Sequence, residues 1–197
     1  METKDVPTTA GPWPARSDAE HLLRAFTTSD GLIKHALAVE AVMRSLAERE
    51  GEDPELWGLV GLLHDFDYDR WPELGQHTVE GGRILTERGY PPIIVEAVMS
   101  HVTENNIPRD TRLKQAIYAT DELTGFVVAV ALVKGRDLGG VTAASVLKKL
   151  RDKRFAATVN RNDVTEGAAL LGVPLEDHIT TVIEALKPVA PAIGLTA

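Results

Sequence analysis

"GLVGLLHDFDYDRWPELGQH" (residues 58–77) joins one of the most hydrophobic segments of the chain to a run of titratable groups. The apolar stretch Leu59 to Leu63 stops at His64-Asp65, and Asp67 and Asp69 follow. Upstream, Asp53-Pro54-Glu55 combines an N-cap residue, a proline at the first helical position and an acid near the positive dipole end. The spacing therefore predicts a helix from Pro54 to about His64. Trp57, Val60 and Gly61 precede His64 on the same face, which puts His64 on the inward stripe. Adjacent helical residues point about 100° apart. His64 and Asp65 therefore converge on one ligand only where the helix unwinds at its last turn. An aspartate at that end meets the negative pole of the helix dipole, and a bound metal offsets the penalty. Taken alone, the dipeptide reads more readily as a helix end fraying into water than as a metal site.

The same reading extends to other segments. His35 shares a face with Val39, Val42 and Leu46, His101 with Ile94, Ala97 and Val98, and Asp121 with Leu113, Ile117, Tyr118 and Val128. A single inward histidine is ordinarily a satisfied core residue. An inward aspartate is costly without a partner, because a carboxylate moved into an apolar interior neutralises or finds a cation. Three histidines and an aspartate on the inward faces of separate helices are explained together by one shared cation.

The remaining sequence predicts an all-α, single bundle-like domain. Residues 1–16, with Pro7, Pro12 and Pro14, read as a flexible N-terminal arm, and residues 17–197 as the domain with a C-terminal helical extension. Ser17 and Glu20 suggest a capping box for a helix to about Phe26. A longer helix follows Asp30-Gly31 and ends at Gly51; others cover about 77–89, 91–102 and 111–135, the last bent near Gly125. "TAASVLKKLRD", "VTEGAALLG" and "LEDHITTVIEALKP" supply three more, separated by an irregular "KRFAATVNRND".

Composition narrows the function classes. The 197 residues hold no cysteine, which excludes disulfides, thiol nucleophiles and thiolate metal sites. A metal here must use imidazole and carboxylate, which suits Fe, Mn, Zn, Ni, Co or Mg. The net charge of -8 argues against binding a nucleic-acid polymer. No apolar run is expected to approach the length needed to span a bilayer, and the polar, proline-rich start lacks a signal peptide's pattern, so the expected location is cytoplasmic. One local exception to the acidic balance is "KKLRDKR" (148–154). Its Lys148, Lys149, Lys153 and Arg154 are candidate contacts for a small phosphorylated substrate, with a solvated helix face as the alternative.

The ordered pattern of a lone His35, then His64-Asp65, then Asp121 resembles the HD superfamily of metal-dependent phosphohydrolases, whose signature is H…HD…D. "LIKHALAVEAVMRSLA", "WGLVGLLHDFDYD" and "AIYATDELTG" carry the resemblance, over roughly residues 18–130. The resemblance implies an HD-domain helical bundle in which His35, His64, Asp65 and Asp121 ligate one divalent ion. It also places His77 and His101 where dinuclear members carry two extra histidines, with Asp65 bridging. His77 has a plainer reading as an exposed residue opening a helix. His21 and His178 match no motif and read as structural or surface residues. Members that cleave cyclic dinucleotides carry a glycine and a lysine soon after HD. This chain reads "HDFDYDRWP" there, so a smaller phosphoester or nucleotide is the implied substrate.

The expected chemistry is hydrolysis by a metal-activated hydroxide, with one or two ions. Beyond the ligand Asp65, Asp67 and Glu104 are candidates for positioning water or moving a proton; capping a turn is the alternative for Asp67. Two other functions share the ligand set: a di-iron oxygenase of the HD type, and a noncatalytic module binding a metal or nucleotide. The sequence assigns no oligomeric state.

Overall fold

A computed structural model describes residues 9–10, 12–73 and 75–197. Nine α-helices run through the described residues: α1 (Arg16–Phe26), α2 (Asp30–Glu50), α3 (Pro54–Leu63), α4 (Val79–Glu87), α5 (Pro92–Ser100), α6 (Arg112–Val133), α7 (Ala143–Leu150), α8 (Arg161–Leu171) and α9 (Leu175–Leu186). Among the described residues, strand structure is confined to a small antiparallel ribbon of β1 (Thr9–Ala10) and β2 (Trp13–Pro14) and an isolated bridge between Asp137 and Thr196, so the all-α expectation holds.

Helix ends follow local chemistry. Asp53 Oδ1 accepts the backbone N–H groups of Glu55 and Leu56 at 2.9 and 3.4 Å, opening α3 as the sequence predicts. Gly51 ends α2 in the left-handed conformation at φ 73°. The capping box at Ser17 does not form. The N-cap of α1 is Ala15, and Glu20 instead takes ion pairs from Arg16 and Arg24, each at 2.7 Å. A capping box absent from the sequence reading opens α7, between Thr142 and Ser145. The helix before His101 stops at Ser100, and α6 continues as one helix through Gly125.

Most of the expected flexible arm lies outside the described residues, and its end is docked. Trp13 Nε1 donates to Asp53 Oδ2 at 2.7 Å, Pro14 is buried, and Arg16 forks onto Glu40 at 2.6 and 2.7 Å. Glu40 is itself buried on α2 and also accepts from Arg44, so a buried carboxylate is satisfied by two guanidinium groups.

Two packings position the site. The pairing of α2 with α3 is close because Gly61 faces the α2 backbone: a Cβ there would lie 2.9 Å from Glu40 Cα. Helix α6 runs through the middle, against α2, α5, α8 and α9, and buries Ile117, Leu123, Phe126 and Val127. By length and composition α6 is apolar enough to cross a membrane, contrary to the expectation that no apolar run approaches that length. In the fold its apolar surface is the centre of the protein core.

Candidate metal centre

Five chain segments deliver the titratable groups. His35 comes from α2, His64 caps the C-terminus of α3, Asp65 begins the turn beyond it, His101 caps α5, and Asp121 sits in mid-α6. His77 arrives from the loop that precedes α4. His64 keeps helical angles, and the backbone then turns through Phe66 N–H to Leu63 O and Tyr68 N–H to Asp65 O. That unwinding lets His64 and Asp65 share a target.

The groups form two clusters that share Asp65. In the first, His35 Nε2 lies 2.9 Å from Asp121 Oδ1 and 3.2 Å from His64 Nε2. His64 Nε2 is 3.4 Å from both Asp65 Oδ2 and Asp121 Oδ1. In the second, Asp65 Oδ1 lies 3.1 Å from His77 Nε2 and 3.3 Å from His101 Nε2. Asp65 thus turns one oxygen to each cluster, and His77 points inward.

Hydrogen bonding on the far side of the rings decides what they offer. His64 Nδ1 donates to Gly61 O at 2.8 Å, and His101 Nδ1 to Val98 O at 2.7 Å. His77 Nδ1 donates to Asp67 Oδ1 at 2.9 Å. In the neutral rings each Nε2 is therefore a lone pair aimed at a carboxylate oxygen or another imidazole nitrogen. Acceptors converging on acceptors is an arrangement that a cation resolves, so the donor set fits one or two divalent ions. Without a metal, protons take that role. Burial works against charge on His64, but the charge of Asp65 and contact with Asp121 hold its pKa well above the usual value. His77 likewise overcomes burial through Asp65 and Asp67 and is pushed up to about 9. Burial also opposes ionisation of Asp65, and contacts with His64, His101 and His77 outweigh it, keeping the carboxyl well below the usual carboxylate range. Ion binding must displace the ring protons.

The clusters form the floor of a cavity of about 730 Å³. Its wall includes Tyr68, Glu104, Tyr118, Glu122, Asn160 and Asp163, and no described lysine or arginine lines it. Glu104 stands at this wall, in a 3₁₀ turn. Asp67 does not: it is fully buried, and its oxygens are taken up by His77, Thr78 N–H and Gly81 N–H. It is therefore not placed to orient a water in the cavity. Nor is the basic run. Lys149 lies over the Phe155 ring at 4.5 Å, Lys148 and Lys153 face solvent, and Arg154 is 97% exposed beside Asp152. None of these four side chains lines the cavity, and the run is a solvated face. His21 is exposed, whereas His178 is buried and bonds Ala119 O at 2.9 Å.

Sequence reading missed the outer wall. Tyr118 Oη lies 3.0 Å from Asp163 and 3.1 Å from Glu166, and Arg109 stacks over its ring at 3.6 Å while donating to His101 O. Burial, then the charge of Asp121, push the Glu122 carboxyl up to about 7. Glu122 was discoverable as the neighbour of Asp121 on the same helix. Asp163 was not, because α8 reaches the site only through tertiary packing on α6.

The all-α bundle closes on a shared His/Asp cluster whose donor set could hold a divalent ion. Residues 32–125 match the HD domain family, which supports membership of the HD-domain superfamily, a superfamily of metal-dependent hydrolases. No solved structure gives a significant match.

Proposed function

We propose that the protein is a metal-dependent phosphohydrolase acting on a small phosphoester with a single phosphoryl group. The observation that carries this reading is Asp65, which turns one oxygen to each of two histidine clusters on the floor of an open cavity. His35, His64, Asp65 and Asp121 would hold one ion, and Asp65, His77 and His101 a second. Divalent ions held there would supply an activated water near neutral pH and polarise a phosphoryl oxygen. Glu122 and Asp163, wall carboxyls beyond the ligand set, would be candidates to give the leaving group its proton.

The wall supports the preference for one phosphoryl group. Phosphate oxygens not met by the ions face Glu104, Glu122 and Asp163, with no described Lys or Arg on the lining to neutralise them. Further phosphates add like-charge repulsion. A nucleoside monophosphate should be hydrolysed at least about tenfold faster than its triphosphate at low concentration, as ~1.4 kcal/mol of repulsion produces.

The test is hydrolysis of para-nitrophenyl phosphate and a panel of monophosphates with added Mn²⁺, Co²⁺ or Ni²⁺. Activity lost in His64→Ala and Asp65→Ala supports the reading. A panel that stays blank with every metal overturns it, and oxygen consumption that requires Fe²⁺ establishes the oxygenase instead.

A further inference from the structure

We propose that Asp67 is the positioning residue for the second cluster: it turns His77 inward and thereby allows a second ion to bind. The proposal rests on the metal-centre part of the functional reading and not on the phosphoester.

Asp67 follows the ligand Asp65 by one intervening residue but faces the opposite way, into the protein. Its Oδ1 accepts His77 Nδ1–H at 2.9 Å, which leaves His77 Nε2 free to face Asp65 Oδ1 at 3.1 Å. Its Oδ2 accepts the backbone N–H groups of Thr78 and Gly81, each at 2.9 Å. Those are donors that the start of α4 would otherwise leave open, and Thr78 makes no side-chain cap of its own. One carboxylate thus caps α4 and orients the histidine just before it.

Two features show how closely this turn is determined. Thr78 has φ 61°, a left-handed conformation disfavoured for a β-branched residue. It is held by Asp67 at its N–H and by Asn105 Nδ2, which donates to its Oγ1 at 2.5 Å. Gly81 closes over the carboxylate: a Cβ at that position would stand 2.8 Å from Asp67 Oδ2. Among the bonds described for Asp67, none reaches His35, His64 or Asp121. Its effect should therefore fall on one cluster only. Partners that orient metal-bound histidines typically govern affinity by about 10–100-fold.

Equilibrium dialysis against Zn²⁺ with metal analysis tests this. The unsubstituted chain should take two ions. Asp67→Asn should keep the first and bind the second at least about tenfold more weakly, and Gly81→Ala, which crowds the same carboxylate without removing it, should act in the same direction. A single ion in the unsubstituted chain, a second ion bound normally by Asp67→Asn, or parallel loss of both ions overturns the proposal. Nitrogen NMR of the Zn²⁺-loaded, unsubstituted protein gives a measure that needs no variant. His77 should be Nδ1-protonated and bound through Nε2, and binding through Nδ1 overturns the assignment. Neither readout involves turnover, so a failed hydrolase screen leaves this result separate.

Discussion

Three acids that crowd one short turn divide their work by direction. Asp65 faces the two histidine clusters, Asp67 faces His77, and Asp69 accepts the N–H groups of Thr28 and Ser29 at 2.6 and 2.9 Å, pinning the turn to the start of α2. Away from the centre, His178 offers a test of pH dependence. Burial disfavours its charged form, the bond to Ala119 O offsets this only in part, and its pKa lies below 6.5. As pH falls, the unfolded chain therefore binds the proton first. The stabilisation is complete above about 6.5 and drains away as pH falls toward the folded-state pKa. Urea denaturation at pH 7 and pH 5 should show His178→Gln losing less stability over that interval than the parent; equal losses would contradict the assignment. His35, His64, His101 and Asp121 were legible in sequence because helical spacing reports which face a residue occupies. The inward turn of His77 was not, because it depends on a left-handed Thr78 and a buried carboxylate ten positions upstream.

Elements were legible where capping chemistry is local. Asp53-Pro54 and Gly51 mark real boundaries, since each acts on its own backbone. The box at Ser17 failed because Arg16 and Arg24 compete for Glu20. The basic run at the end of α7 and in the turn beyond it could not be placed from sequence, because charge carries no direction; in the fold none of its side chains lines the cavity. The α2–α3 pairing yields a further prediction. In Gly61→Ala the new methyl meets Glu40 Cα, so α3 must shift, at a cost of about 1–3 kcal/mol. Denaturant unfolding should register that loss, and Zn²⁺ affinity should fall with it, because His64 caps the displaced helix. Full stability in this variant would show that the interface relaxes without cost.

At the scale of the whole molecule, the centre ties together segments from residue 35 to residue 121. Ligands that bind only the folded chain stabilise it, by ~2.7 kcal/mol at a free concentration of 100 times the dissociation constant. For a chain of this size that is a rise of roughly 5–10 °C in melting temperature. Calorimetry with and without Zn²⁺, followed by EDTA, should show the rise and its reversal. A melting temperature indifferent to metal would separate the cluster from the stability of the fold.

The apolarity of α6 has a consequence for how the chain is made. The family match ends at residue 125, inside α6, yet that helix continues to Val133 and is covered by α8 and α9. Synthesis is vectorial, so the segment bearing Asp121 leaves the ribosome before residues 161–186 have emerged to shield it. During that interval the nascent chain exposes this long apolar helix to chaperones and to other chains. A chain stopped at Gly140 would keep every ligand of the centre and should still collect in the insoluble fraction.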